Sequence, residues 1–216
     1  MSNIEKMGHT GKSIVVIAFA IAFAYVEASV VVYLREIIYP EGFAFPLKSI
    51  PFNLIVIELF RELATMIMLA TVAVLAGKRV WERFGYFIVA FGIWDIFYYI
   101  WLKATIGWPA SLVEWDILFL IPVPWIGPVL APVLISVLMI VVGLLITRLY
   151  ARECEFRPGW LSWGFAIAAT ALILYSFMRD FSATLNQQMP QPYQWGWLIL
   201  GLILYIAGFV IPYRKA

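Results

Sequence analysis

The amino-acid sequence predicts an all-α integral membrane protein, a single bundle of about six transmembrane helices. Three observations predict it. Of 216 residues, 64% are hydrophobic and 13% charged, against roughly half and a quarter in a soluble domain. That leaves too little polar side chain to cover a water-facing surface. Aromatic residues reach 17%, with 10 Trp, as suits two interfacial belts. Finally, six stretches have the length of about 20 mostly apolar residues that a spanning helix needs.

The spans fall at Ser13–Leu34, Phe52–Ala76, Phe84–Leu102, Val129–Tyr150, Trp160–Phe177 and Trp195–Tyr213. Residues 1–216 form one polytopic domain, with a polar tail over 1–12. The first apolar stretch runs to Tyr33 and contains Glu27. It is longer than a signal-peptide core and reads as a retained span. Ala20, Ala24 and Ala28 recur at four-residue spacing, a stripe that lets helices approach closely. No internal repeat is visible, so the sequence gives no support to an inverted-repeat transporter.

Orientation follows from Lys and Arg, which cytosolic loops retain. With the N-terminus inside, the inside segments hold Lys6, Lys12, Lys78, Arg79, Arg83, Arg148, Arg152, Arg157, Arg214 and Lys215. The outside segments hold only Arg35, Lys48, Lys103 and Arg179, and Arg61 falls within a span. The expectation is a bacterial or archaeal cytoplasmic membrane with both termini in the cytosol. Residues 109–128, before the fourth span, are irregular: Pro122, Pro124 and Pro128 lie within a few residues, with Pro132 just beyond. Proline breaks helices, so no single helix covers them. Two forms fit, a segment dipping into the outer leaflet or a helix lying on the outer surface. Irregular backbone at membrane depth needs burial by protein or access to water.

Several function classes are excluded. The net charge of +2 and the lack of a basic run argue against a nucleic-acid partner. Cys154 is the only cysteine and His9 the only histidine. The chain therefore forms no intramolecular disulfide, no bis-histidine haem site and no Ser-His-Asp triad. No nucleotide motif is present.

The informative residues are charges inside the spans: Glu27, Glu58, Arg61, Glu62 and Asp95. Each costs at least about 2.5–3.5 kcal/mol near a bilayer centre. All fall in the outer halves of their spans, joined by Asp116 on the irregular segment. Glu58, Arg61, Glu62 and Thr65 follow i, i+3, i+4, i+7 and share one helix face. That face is expected to look into the bundle, with Arg61 pairing one of the two carboxylates. Tyr98 and Tyr99 flank Asp95 as hydrogen-bond donors. Arg35 and Glu36 read as interfacial anchors, and Lys103 as a snorkelling side chain. Arg179 and Asp180 read as a solvated pair, and Glu114 and Asp116 as loop acids adding negative potential.

Three functions remain open. The cluster (Glu27, Glu58, Arg61, Glu62, Asp95, supported by Thr65, Tyr98, Tyr99 and Asp116) fits binding or transport of a small cation or polar solute, with proton coupling as a variant. It also fits an intramembrane enzyme working on a lipid or isoprenoid by carboxylate acid–base chemistry. A third reading is an assembly subunit whose charges meet partner subunits or a second copy within the bilayer. Glu27, Glu58, Glu62 and Asp95 offer only oxygen ligands, which would select Mg, Mn or Ca as a divalent metal. The Glu-x-x-His pattern of di-iron bundles is absent.

Overall fold

The computed structural model describes residues 7–48 and 51–215, so Lys6 and the start of the tail lie outside them. Six helices are long and apolar enough to cross a membrane. They are α1 (His9–Ile38), α2 (Phe52–Ala76), α3 (Val80–Ile106), α4 (Leu130–Ala151), α5 (Trp160–Met178) and α7 (Trp195–Tyr213). A five-residue α6 (Phe181–Leu185) joins the last two. The tail expected over 1–12 is already helical from His9, whose Nε2 lies 3.0 Å from the Thr147 hydroxyl of α4.

Helix packing follows the small residues. Ala20, Ala24 and Ala28 are fully buried along α1, which packs against α3. α3 and α4 cross closely. A Cβ on Gly143 would meet the Gly85 carbonyl at 2.6 Å, and one on Gly92 would meet the Ser136 carbonyl at 2.6 Å. Both contacts are with backbone, which cannot swing aside. Gly143→Ala is therefore expected to destabilise the protein by about 1–3 kcal/mol in detergent unfolding. Gly164→Ala on α5, with open space around it, is the matched control; equal melting of the two variants would refute the close crossing. α5 and α7 form a second pair, with Gly201 against Ile173 and Gly208 against the Ser162 carbonyl.

The irregular segment is a β-hairpin, with no helix in it. β1 (Trp115–Phe119) pairs antiparallel with β2 (Trp125–Pro128), in register Trp115↔Pro128 and Ile117↔Ile126. Pro122 and Pro124 fall at the turn, where the missing N–H costs no ladder bond. Two strands alone are marginal, and this pair rests on α4 and α5. The ladder continues into α4: Val129 and Leu130 donate their N–H groups to the Glu114 and Leu112 carbonyls, at 2.9 and 2.8 Å. Two of the donors that a helix start leaves open are thereby satisfied.

α2 has two unlike halves. Its buried residues are Glu58, Glu62 and Thr65, then Leu69, Ala73 and Ala76. The fully buried side chains of the N-terminal half are thus polar, those of the C-terminal half apolar, while Leu54, Ile55, Val56 and Leu59 are half-buried. Leu69 and Ala73 join Val16, Ala20 and Ala24 of α1 and Tyr86, Val89, Ala90 and Trp94 of α3 in the main core.

Candidate functional site

A cavity of about 120 Å³ lies between the C-terminal half of α1, the N-terminal half of α2, the C-terminal half of α3 and the hairpin. Glu27, Glu58, Arg61, Glu62, Asp95, Tyr98, Tyr99 and Asp116 all line it. Residues chosen by depth on separate helices therefore converge on one space. Thr65 stands one turn below Arg61 and donates its hydroxyl to Glu27 Oε2 at 3.1 Å.

The helix-face spacing on α2 carries this geometry. Arg61 faces two carboxylates at once. Its Nε donates to Glu58 Oε2 at 2.8 Å, one turn back on the same helix, and its Nη1 pairs with Glu27 of α1. Glu62, on the same face, bonds no guanidinium. Both its oxygens accept the Leu120 N–H of the hairpin, at 2.9 and 3.1 Å. Asp95 accepts the Ser136 hydroxyl at 2.8 Å. The close α3–α4 crossing at Gly92 delivers that hydroxyl, since the Ser136 backbone sits against the glycine.

Arg35 and Asp116 correct the sequence reading. Arg35 is no interfacial anchor: it lines the cavity and is 8% exposed. Its guanidinium lies 4.0 Å from the Phe43 ring centre and 3.8 Å from that of Trp108, and Nη2 donates to Asp116 Oδ1 at 2.9 Å. Asp116 is no loop acid either, being 2% exposed and ion-paired. Arg35 Nη1, Asp116 Oδ2 and Trp94 Nε1 are buried and lack a hydrogen-bond partner in the protein. At the rim, the Tyr39 hydroxyl accepts the Lys48 N–H. Burial raises the Tyr39 pKa above the usual phenol value, against smaller opposing pulls from that bond and from Arg35.

Other charges on this side take backbone partners. Lys103 donates to the Gly107 and Pro109 carbonyls, at 2.9 and 2.8 Å, and so closes the end of α3. Glu114 accepts the Ala110 N–H in its own turn. Asp180 accepts the Gln191 N–H and forms no ion pair with Arg179. Tyr98 and Tyr99 pack edge to face with ring centres 5.0 Å apart.

Five carboxylates and two guanidiniums thus line the cavity. Arg61 serves Glu27 and Glu58, Arg35 serves Asp116, and Glu62 and Asp95 have no cationic partner among the described residues. Arg61 stands beside Glu27 and Glu58, and no group of three metal-ligating side chains forms among the described residues. Sequence reading missed Arg35, Ser136 and the Leu120 N–H. Only Ser136 left a trace, as a lone hydroxyl in an otherwise apolar stretch of α4.

Six helices long and apolar enough to cross a membrane, with a carboxylate-lined cavity among three of them and the hairpin, fit a polytopic helical membrane protein. No family model, curated protein or solved structure matches the chain.

Proposed function

We propose that this protein binds a small cation, or a polar solute carrying one, in the carboxylate cavity, and that proton exchange on the unpaired acids accompanies binding. One observation carries the reading: five carboxylates share two guanidiniums, leaving Glu62 and Asp95 without cations. Buried negative charge in such excess attracts a cation or a proton.

The Lys and Arg distribution supports a reading with both termini in the cytosol and the cavity and hairpin in the outer leaflet. The hairpin is then the dipping segment. Its backbone takes partners from its own ladder, from the start of α4 and from Glu62, as irregular structure at that depth requires. Below the carboxylates, Val16, Ala20, Ala24, Leu69, Ala73 and Val89 are each 2% exposed or less. That packing closes the cytosolic side, so passage across the membrane needs a second conformation.

One observation favours the enzyme alternative enough to keep it. The outer half of α2 shows exposed Ile57, Phe60 and Leu63, and its fully buried side chains, Glu58, Glu62 and Thr65, are polar. A lipid head group entering along α2 would meet Glu62 and Asp95 as acid and base. The assembly reading draws less support, because the carboxylates turn inward.

Glu62→Gln is the first test. Glutamine keeps an oxygen to accept the Leu120 N–H, so stability is expected to change by less than about 1 kcal/mol. Wild-type protein in detergent is expected to melt at a higher temperature with one or more of sodium, potassium, magnesium, calcium or methylammonium, and the variant to lose that rise. If neither protein responds to any ion or to pH, the cation reading is wrong.

A further inference from the structure

We propose that the groove between the C-terminal ends of α4 and α7 binds the phosphate of an anionic phospholipid, held by Arg148 and Arg152. The groove measures about 230 Å³ and is lined by Leu145, Arg148, Leu149, Arg152 and Tyr213. α4 runs away from the hairpin, so the groove lies at the end of the bundle opposite the carboxylate cavity.

Arg148 and Arg152 are one turn apart and share a helix face. Both are exposed, and neither forms an ion pair among the described residues. Their neighbours at this end behave otherwise, since Arg79 and Arg157 both pair with Glu155. Helix C-termini attract cations, but that attraction needs no groove and no second arginine. Arg214 and Lys215, both exposed, directly follow Tyr213 and add charge of the same sign.

The lining also fits an amphiphile better than a free anion. Leu145 and Leu149 alternate with the arginines along α4 and offer apolar contact to the start of an acyl chain. Tyr213 sits at the helix end, where a ring with one polar atom suits the head-group level. Guanidiniums match phosphate oxygens in a planar fork. Basic pockets between transmembrane helices are an established way to hold anionic head groups.

The test uses the full chain in a neutral detergent, titrated with phosphatidylglycerol, phosphatidylcholine or inorganic phosphate. Melting temperature and lipid retained in native mass spectrometry are read together. Phosphatidylglycerol is expected to raise the melting temperature and to be retained, while the other two do neither. Arg148→Gln with Arg152→Gln is expected to weaken phosphatidylglycerol binding about thirtyfold. Lys78→Gln with Arg157→Gln, an equal loss of charge at the same end, is expected to leave it unchanged. The proposal falls if the Arg148/Arg152 variant binds like wild type, or if both double variants weaken equally. It falls too if inorganic phosphate alone reproduces the shift, which would mark a site for free anions.

Discussion

Arg61→Met is expected to lower the unfolding free energy by about 3–5 kcal/mol, the usual cost of stranding a buried charge. Methionine keeps most of the aliphatic stem, so the loss comes from the guanidinium. Glu27 and Glu58 are 6% and 8% exposed, and both pair with Arg61. Without it, Glu27 retains the Thr65 hydroxyl and no cation among the described residues. The effect is larger than for a typical surface pair because Glu27 and Glu58 are both buried. This polar junction also ties α2 to α1. Adding Glu27→Gln to Arg61→Met is expected to restore much of the stability, since a neutral amide no longer needs a cation. Arg61→Lys falls between, because an ammonium lacks the fork that spans two carboxylates. Thermal unfolding in detergent measures all three. If Arg61→Met melts like wild type, the junction does not hold α2.

The six spans were legible because a membrane helix is written as an apolar run, and each run returned as a helix. Their ends were less so. α1 begins at His9 and α3 covers Val80–Ile106, because helices continue past the apolar run into polar residues such as Glu82 and Lys103. The cavity was legible by depth: acids on separate spans fell at one level, and the period of α2 set Glu58, Arg61, Glu62 and Thr65 on one face. The hairpin was not legible. Trp115–Phe119 is a short apolar run, for which periodicity does not separate strand from helix, and its pairing with Trp125–Pro128 is a tertiary fact. Arg35 was misread for a related reason. Next to Glu36 at a helix end it has the local context of an anchor, whereas Phe43, Trp108 and Asp116 reach it from three other segments.

The role those three segments give Arg35 sets the other large effect. Arg35→Met is expected to cost about 3–5 kcal/mol, since Asp116 at 2% exposure would lose its cationic partner. The stacking on Phe43 and Trp108 adds to the loss, at roughly 0.5–2 kcal/mol for a desolvated cation. Asp116→Asn is expected to be milder, because the amide oxygen still accepts from Nη2. The double variant should recover part of the Arg35→Met loss, and a double-mutant cycle gives the coupling. A second readout locates the damage. Asp116 belongs to β1, and Leu120 at the end of that strand is where Glu62 meets the hairpin. Releasing Asp116 should loosen the hairpin first and weaken its contact with Glu62. Amide exchange in Arg35→Met is therefore expected to rise across Trp115–Pro128 while α5 and α7 keep their protection. Unchanged exchange in the hairpin, with a melting temperature equal to wild type, would mean that the Arg35–Asp116 pair does not secure it. Exchange rising equally in every helix would mean that the pair supports the whole bundle. A selective rise would identify the hairpin as the movable wall of the cavity, held on one side by Arg35 and on the other by Glu62, the same carboxylate proposed to meet the cation.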